Sequence, residues 1–284
     1  MKKTVLFFLF ASFIINFAQV ETQNQVTLHR TEVDSIVSKI NGVNYPVEIA
    51  LPSSYNSSNK SYPVVYMLDA YSSFGIMVEM QRLLEYDGKL PEMIIIGISS
   101  KGGSKEFIYN RSRDYTPTKI DPLSLPENIR VLTPASGGAE KFLSFINEEL
   151  IPFVESKFRC QKNDRTFIGH SYGGLFGFYV LFNHPEIFNR YVMISPVLLW
   201  DNELILQQEN EFFKNHKSLN AIVYTTVGSL EGDFMLKPWE RLVESIKVHQ
   251  YDGLIFKNRV ALDESHYTII PYIVTHGLTS VFKK

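Results

Sequence analysis

A strand-like run, Arg165-Thr166-Phe167-Ile168, leads without a spacer into Gly169-His170-Ser171-Tyr172-Gly173-Gly174 and on into the apolar, helix-like segment Tyr172 to Phe182. A chain that passes this sharply from strand to helix brings two backbones close together. Glycines on either side of the serine remove the side chains that would collide there. The serine at the apex projects its hydroxyl above the edge of a sheet instead of into a core. Such a turn needs a buried strand beneath it and a helix lying on a sheet face, so it already favours layered α/β architecture.

The remaining sequence supplies matching parts. Val26 to Arg30, Tyr45 to Leu51 and Tyr62 to Leu68 read as short strands separated by polar or proline-containing turns. Met93 to Ile98 is an unbroken apolar run, as expected of a strand covered on both faces. Thr166 to Ile168, Tyr191 to Ser195, Ala221 to Val227 and Lys257 to Leu262 are later strand candidates. Helical periodicity is clearest in Ala139 to Phe158, where Phe142, Phe145, Ile146, Ile151 and Val154 form a stripe that Pro152 should kink or restart. Glu203 to Phe213, Met235 to Val248 and Tyr267 to Val281 read as further helices. Early hairpin-like strands followed by β-α alternation predict one domain over residues 19–284, with a mostly parallel sheet and helices on both faces. Residues 99–138, rich in Gly, Ser and Pro, read as a long loop or lid.

Composition narrows the function classes. The 284 residues carry 28 basic and 30 acidic side chains and are 45% hydrophobic, which argues against a disordered, collagenous or multi-span membrane chain. No Lys/Arg run suggests a nucleic-acid partner. A single cysteine, Cys160, excludes an internal disulfide and any multi-cysteine metal site. No H-x-x-x-H or C-x-x-C pair is present, and no metal or cofactor is expected. Met1-Lys2-Lys3, the apolar run Val5 to Phe17 and the small Ala18 have the layout of a signal peptide over residues 1–18. The run is short for a stable membrane span, so the mature protein is expected to be secreted or periplasmic.

A serine nucleophile needs a base, and in a strand–turn–helix setting the acid and then the histidine follow the serine in the chain. His266, in Asp263-Glu264-Ser265-His266-Tyr267 between the last strand and the last helix, is best placed. His276 falls inside the final helix and reads as structural, and His170, next to the serine on a strand exit, is expected to point the other way and pack. The loop after Ala221 to Val227 offers both Glu231 and Asp233 as the orienting carboxylate. Glu231 is favoured, because Asp233 suits the cap of the following helix. Backbone N–H groups of Tyr172 and of Tyr71, after the strand ending in Leu68, are the expected oxyanion donors.

Taken together, Tyr66-Met67-Leu68-Asp69-Ala70, Arg113-Asp114-Tyr115-Thr116-Pro117-Thr118, Gly169-His170-Ser171-Tyr172-Gly173-Gly174, and Ser195-Pro196 followed by Trp200 resemble the putative-esterase family of α/β hydrolases. That family includes siderophore esterases, S-formylglutathione hydrolases, feruloyl and acetylxylan esterases, and mycolyltransferases. The resemblance implies an α/β-hydrolase fold, Ser171 as nucleophile, His266 as base and Glu231 as acid. The Arg113 to Thr118 block looks most like the siderophore-esterase branch. Lys101, Lys105, Arg111, Arg113 and Lys119, against Glu106 and Asp114, form a basic stretch that would attract an anionic ferric siderophore. Arg113 and Trp200 are the expected substrate contacts. A feruloyl or acetyl carbohydrate ester is the alternative substrate, and a non-catalytic binding protein that keeps the serine turn is the remaining class.

Overall fold

Most of the apolar runs that read as strands become strands of one sheet in the computed structural model, which describes residues 27–124 and 127–283. The expected signal segment and Val26 lie outside those residues. Among the described residues the sheet has eight strands: β1 (Thr31–Val37), β2 (Asn44–Ala50), β3 (Tyr62–Met67), β4 (Ile94–Ile98), β5 (Cys160–His170), β6 (Arg190–Ile194), β7 (Ser218–Gly228) and β8 (Asp252–Ala261). Their order is β1-β2-β4-β3-β5-β6-β7-β8. β2 runs antiparallel to both β1 and β4, and every pairing from β4 through β3 to β8 is parallel. This is the mostly parallel sheet of an α/β-hydrolase fold. β3 and β4 are buried along their whole length, because helices cover both faces.

The helices are α1 (Ala70–Tyr86), α2 (Ser104–Asp114), α3 (Glu127–Arg130), α4 (Ala139–Phe145), α5 (Ile151–Lys157), α6 (Tyr172–Asn183), α7 (Trp200–Asn215), α8 (Asp233–His249) and α9 (Thr279–Phe282). One face of the sheet buries an aromatic cluster around Tyr45, Phe142, Phe145, Phe167 and Phe176, contributed largely by α4 and α6. The other face packs Phe74, Met77 and Val78 of α1 and Ile273, Val274 and Leu278 against Val65, Ile95, Ile168 and Val192. Among the described residues, no helix is long and apolar enough to cross a membrane.

Four local expectations change. The first strand begins at Thr31, since Arg30 takes a left-handed φ of 53° that ends any extended run before it. The periodic segment 139–158 is continuous but widens into a π turn, Ile146–Leu150, just ahead of Pro152, whose missing N–H cannot complete a regular helix. The stretch 99–138 contains α2 and α3, and α1 arises where the sequence analysis placed no element. The buried face of α1 includes Ser73 and Gln81 beside Phe74, Met77 and Val78, so its apolar stripe is broken in the sequence.

Candidate active site

Ser171 stands between β5 and α6 with φ 62° and ψ −119°, a conformation that costs roughly 1–3 kcal/mol for a non-glycine residue and persists only where its surroundings enforce it. Here they do. The Ser171 N–H donates to the Ile194 carbonyl at 3.0 Å, and Leu175 N–H returns to the Ser171 carbonyl at 3.0 Å, so β6 and α6 clamp the turn from both sides. At Gly169 a Cβ would sit 2.2 Å from the Gly173 carbonyl oxygen, so only glycine lets the helix start this close to the strand. Ser171 is 8% exposed, and that exposed portion opens on a cavity of about 850 Å³.

His266 and Glu231 line the same cavity. Glu231 follows β7, and its two oxygens divide the work. Oε2 accepts from His266 Nδ1 at 2.6 Å. Oε1 accepts from the Gly228 N–H at 2.7 Å and from the Ser195 hydroxyl at 2.5 Å. Burial pushes the Glu231 carboxyl up, but these hydrogen bonds outweigh it and hold the group below its ordinary value. The His266 ring is therefore fixed by an ionised partner at Nδ1, which leaves Nε2 for proton exchange. Asp233 is elsewhere: it is the first residue of α8, not its cap, and pairs with Lys237 at 2.7 Å in an exposed bridge.

The two amides expected to hold an oxyanion sit in first turns of helices, where the helix itself offers no acceptor. Tyr172 is the first residue of α6 and Tyr71 the second of α1, and both residues line the cavity. The Tyr172 ring is buried, and its hydroxyl shares a 2.5 Å hydrogen bond with Thr133. The Tyr71 ring stacks on Phe107 at 4.9 Å. With Leu132, Leu230, Phe234 and Tyr267 they give the cavity a largely apolar, aromatic rim.

The two expected substrate contacts are not brought to the cavity wall. Arg113 forks onto its neighbour Asp114, with Nε–Oδ1 at 2.7 Å and Nη2–Oδ2 at 2.8 Å, and is not among the lining residues. Two positions earlier on α2 the helix points inward, and Arg111 takes that place. Its Nε and Nη2 each lie 3.0 Å from Asp69, and its guanidinium sits 5.4–5.7 Å from the rings of Phe107, Tyr115 and Tyr172. Burial works against that charge, yet Asp69 outweighs it and raises the Arg111 pKa above its ordinary value. Trp200 is buried behind the wall: its Nε1–H donates to Thr118 Oγ1 at 3.0 Å, while Val197 and Leu199 face the cavity. Of the five basic residues in the 101–119 stretch, Arg111 and Arg113 are thus engaged by aspartates, which weakens the expected positive field.

Sequence reasoning missed Asp69, Arg111 and Ser195. Asp69 was visible at the end of the β3 run with a left-handed φ of 56° still hidden. Ser195, also at positive φ (46°), was read only as a strand end and part of a Ser-Pro pair.

The family model described as "Putative esterase" matches residues 38–234. The ferri-bacillibactin esterase BesA of Bacillus subtilis is 32% identical over 271 residues, 90% of this chain and 91% of that protein. A siderophore enterobactin esterase of Emericella nidulans is 28% identical over 267 residues, covering 82% of this chain and 88% of the relative. Among solved structures, the BES protein from Bacillus cereus superposes with a TM-score of 0.81 at 29% identity, over 92% of this chain and 99% of that one.

Proposed function

Because the chain belongs to the putative-esterase family, we propose that it is an exported serine esterase that opens the ester bonds of a siderophore-type molecule. That it is an esterase follows from the family and from relatives named as esterases. The siderophore class is supported by what those relatives are named for, at 28–32% identity over most of the chain. Export rests on the basic head and apolar run of residues 1–18.

The single observation that carries the mechanism is the 2.6 Å His266 Nδ1–Glu231 Oε2 bond on the wall of the cavity that Ser171 enters. In this reading His266 Nε2 takes the proton of Ser171 Oγ as the oxygen attacks the ester carbonyl. Glu231 stabilises the resulting imidazolium without taking its proton. The negative charge that develops on the carbonyl oxygen is met by the N–H groups of Tyr71 and Tyr172. His266 then returns the proton to the leaving alcohol. In the second half it deprotonates a water that attacks the acyl-serine, and it passes that proton to Ser171 Oγ as the acyl–oxygen bond breaks and the acid leaves. The apolar rim suits aromatic substituents such as catechol rings, for which the stacked Tyr71 and Phe107 rings offer an aromatic surface.

The test compares kcat/KM of the mature protein on a catecholate trilactone, ferric and metal-free, with that on a feruloyl sugar ester, using Ser171→Ala as the blank. Preference for the trilactone supports the reading, and preference for the feruloyl ester moves the protein to carbohydrate esters. Equal turnover by Ser171→Ala, or no labelling by an active-serine phosphonate, removes the serine mechanism. N-terminal sequencing of the protein from the extracellular or periplasmic fraction tests export.

A further inference from the structure

The strands that hold the nucleophile and the base are not neighbours. β5 and β8 are separated by β6 and β7, so the loop after β8 has to reach back across two strands to set His266 over Ser171. At roughly 4.8 Å per strand that reach is about 14 Å, far longer than one hydrogen bond can regulate from the β8 side alone. Most ties on this loop come from the loop after β7. Ser229 N–H bonds Ala261 O at 2.9 Å, Leu230 N–H bonds Glu264 O at 3.0 Å, and Asp263 N–H bonds Ser229 Oγ at 2.9 Å. Glu231 on that loop holds the His266 ring. These contacts fix His266 relative to Glu231, yet none of them fixes it relative to Ser171.

One contact does. His170, the last residue of β5 and the chain neighbour of Ser171, places Nε2 2.7 Å from the backbone carbonyl oxygen of His266. Their rings lie 4.5 Å apart, and both residues line the cavity. The expectation that His170 points away and merely packs is therefore corrected: the sharp exit after His170 turns both side chains toward the same space. A carbonyl oxygen only accepts, so His170 carries its proton on Nε2. Burial, followed by the nearby His266 and Arg111 charges, holds the His170 pKa well below its ordinary value. The ring is neutral, a single tautomer whose only N–H is the one directed at His266.

We propose that His170 is a positioning residue for the serine–histidine pair, a strut from the nucleophile's strand to the base's backbone that sets the Ser171–His266 separation. The inference rests on the reading of Ser171 and His266 as nucleophile and base. It gives a role in turnover to a histidine that neither touches the reacting atoms nor exchanges a proton.

His170→Met and His170→Gln separate this role from packing. Both side chains have similar length, but only glutamine keeps an N–H that can reach the His266 carbonyl. The readouts are kcat and KM on p-nitrophenyl acetate, the rate of phosphonate labelling, and the low-field proton resonance of the His266–Glu231 hydrogen bond. His170→Met is expected to lower kcat about 100-fold, the cost of roughly an ångström of misplacement, with KM within about threefold. His170→Gln recovers at least about tenfold of that loss, while the low-field resonance persists in both, because Glu231 is untouched. His170→Met with kcat within twofold of the parent overturns the proposal. So does a folded His170→Gln that is as impaired as His170→Met. If His170→Met does not fold, His170→Gln alone decides: a kcat above one tenth of the parent supports the strut, and a folded protein below one tenth overturns it. Ser171→Ala distinguishes the two readings. If it retains turnover, the serine mechanism itself fails; if it is dead while His170→Met is fully active, only the strut is lost.

Discussion

Ser171, Glu231 and His266 reach the cavity from the loops that follow β5, β7 and β8, whereas Tyr71, Phe107, Arg111 and Leu132 reach it from α1 and from the 99–138 segment. The first wall is set by backbone. Parallel register places the strand ends, and hydrogen bonds to main-chain atoms of Ile194, Gly228 and Ala261 hold each loop where it leaves the sheet. The second wall is set by side chains that meet across long sequence distances: Arg111 on Asp69, Thr133 on Tyr172, Thr118 on Asp201. A wall built on register tolerates little change in the side chains it positions. A wall built on forks and rings changes gradually, and it is where specificity for one ester over another can be adjusted.

The sharpest way to break that contrast is at Glu231, the proposed acid. Glu231→Gln keeps shape but gives His266 Nδ1 an uncharged partner, and turnover is expected to fall about 10⁴-fold, as when a triad acid loses its charge. Asp233→Asn, two residues on, alters only an exposed bridge to Lys237 and should stay within twofold. Steady-state kinetics on both variants decides the point. A reversed order would transfer the acid role to Asp233 and show that the loop after β7 is less rigid than its hydrogen bonds indicate.

On the opposite wall, Arg111→Gln strips Asp69 of its partner in a buried setting, where breaking one side of a pair costs about 3–5 kcal/mol. Asp69 immediately precedes the helix that offers the Tyr71 amide, and Ser72 and Ser73 N–H both bond its carbonyl. The variant should therefore lose stability and also bind a boronate transition-state analogue about tenfold more weakly, roughly the worth of a disturbed oxyanion donor. Arg113→Gln should weaken neither KM nor boronate affinity, since its fork closes on Asp114 behind the wall. Equal boronate affinities in Arg111→Gln and the parent would reduce Arg111 to a structural ion pair.

The same contrast governs what could be read from sequence. The serine turn, the histidine after the last strand and the glutamate after β7 are each announced by local residue order, because strand-end geometry constrains residues close in the chain. Arg111 and Arg113 differ by two positions on α2, and only helix phase against the rest of the fold says which faces the cavity. Sequence reasoning chose Arg113 because it stands in the family-like block Arg113 to Thr118. α1 went unseen because Ser73 and Gln81 interrupt its buried stripe. His170 was misjudged because the alternation of a regular strand was carried one residue past the point where the backbone leaves it, at Ser171's positive φ.

A smaller effect concerns the brace on Glu231. Its carboxyl lies below the ordinary value, so its contribution to stability is fully present above the unfolded value near 4.3 and is lost as pH falls through the lower native value. Ser195→Ala removes the 2.5 Å hydrogen bond to Oε1 and lets the native value rise toward ordinary. Acid unfolding of the variant should then begin at higher pH, with kcat down about tenfold for one lost charge-assisted bond. Denaturant melts between about pH 3 and pH 6 test this. Superimposable acid limbs would mean that Gly228 and His266 alone hold the carboxylate.

The smallest change is expected at Trp200. Its indole donates to Thr118, whose hydroxyl in turn donates to Asp201 at 2.6 Å, and Asp201, Asn202 and Glu203 all take left-handed φ values of 45–59°. Three such residues in succession are strained, and this relay, with the Glu203–Arg241 pair, keeps them in place. Trp200→Phe removes one buried hydrogen bond, worth about 1 kcal/mol, and some packing against Tyr172. The unfolding midpoint should drop by about 2–4 °C with KM unchanged on aromatic and aliphatic esters alike. A selective rise in KM for aromatic esters would place Trp200 back on the substrate wall. The division between a backbone-set and a side-chain-set half of the cavity would then have to be redrawn to include the start of α7.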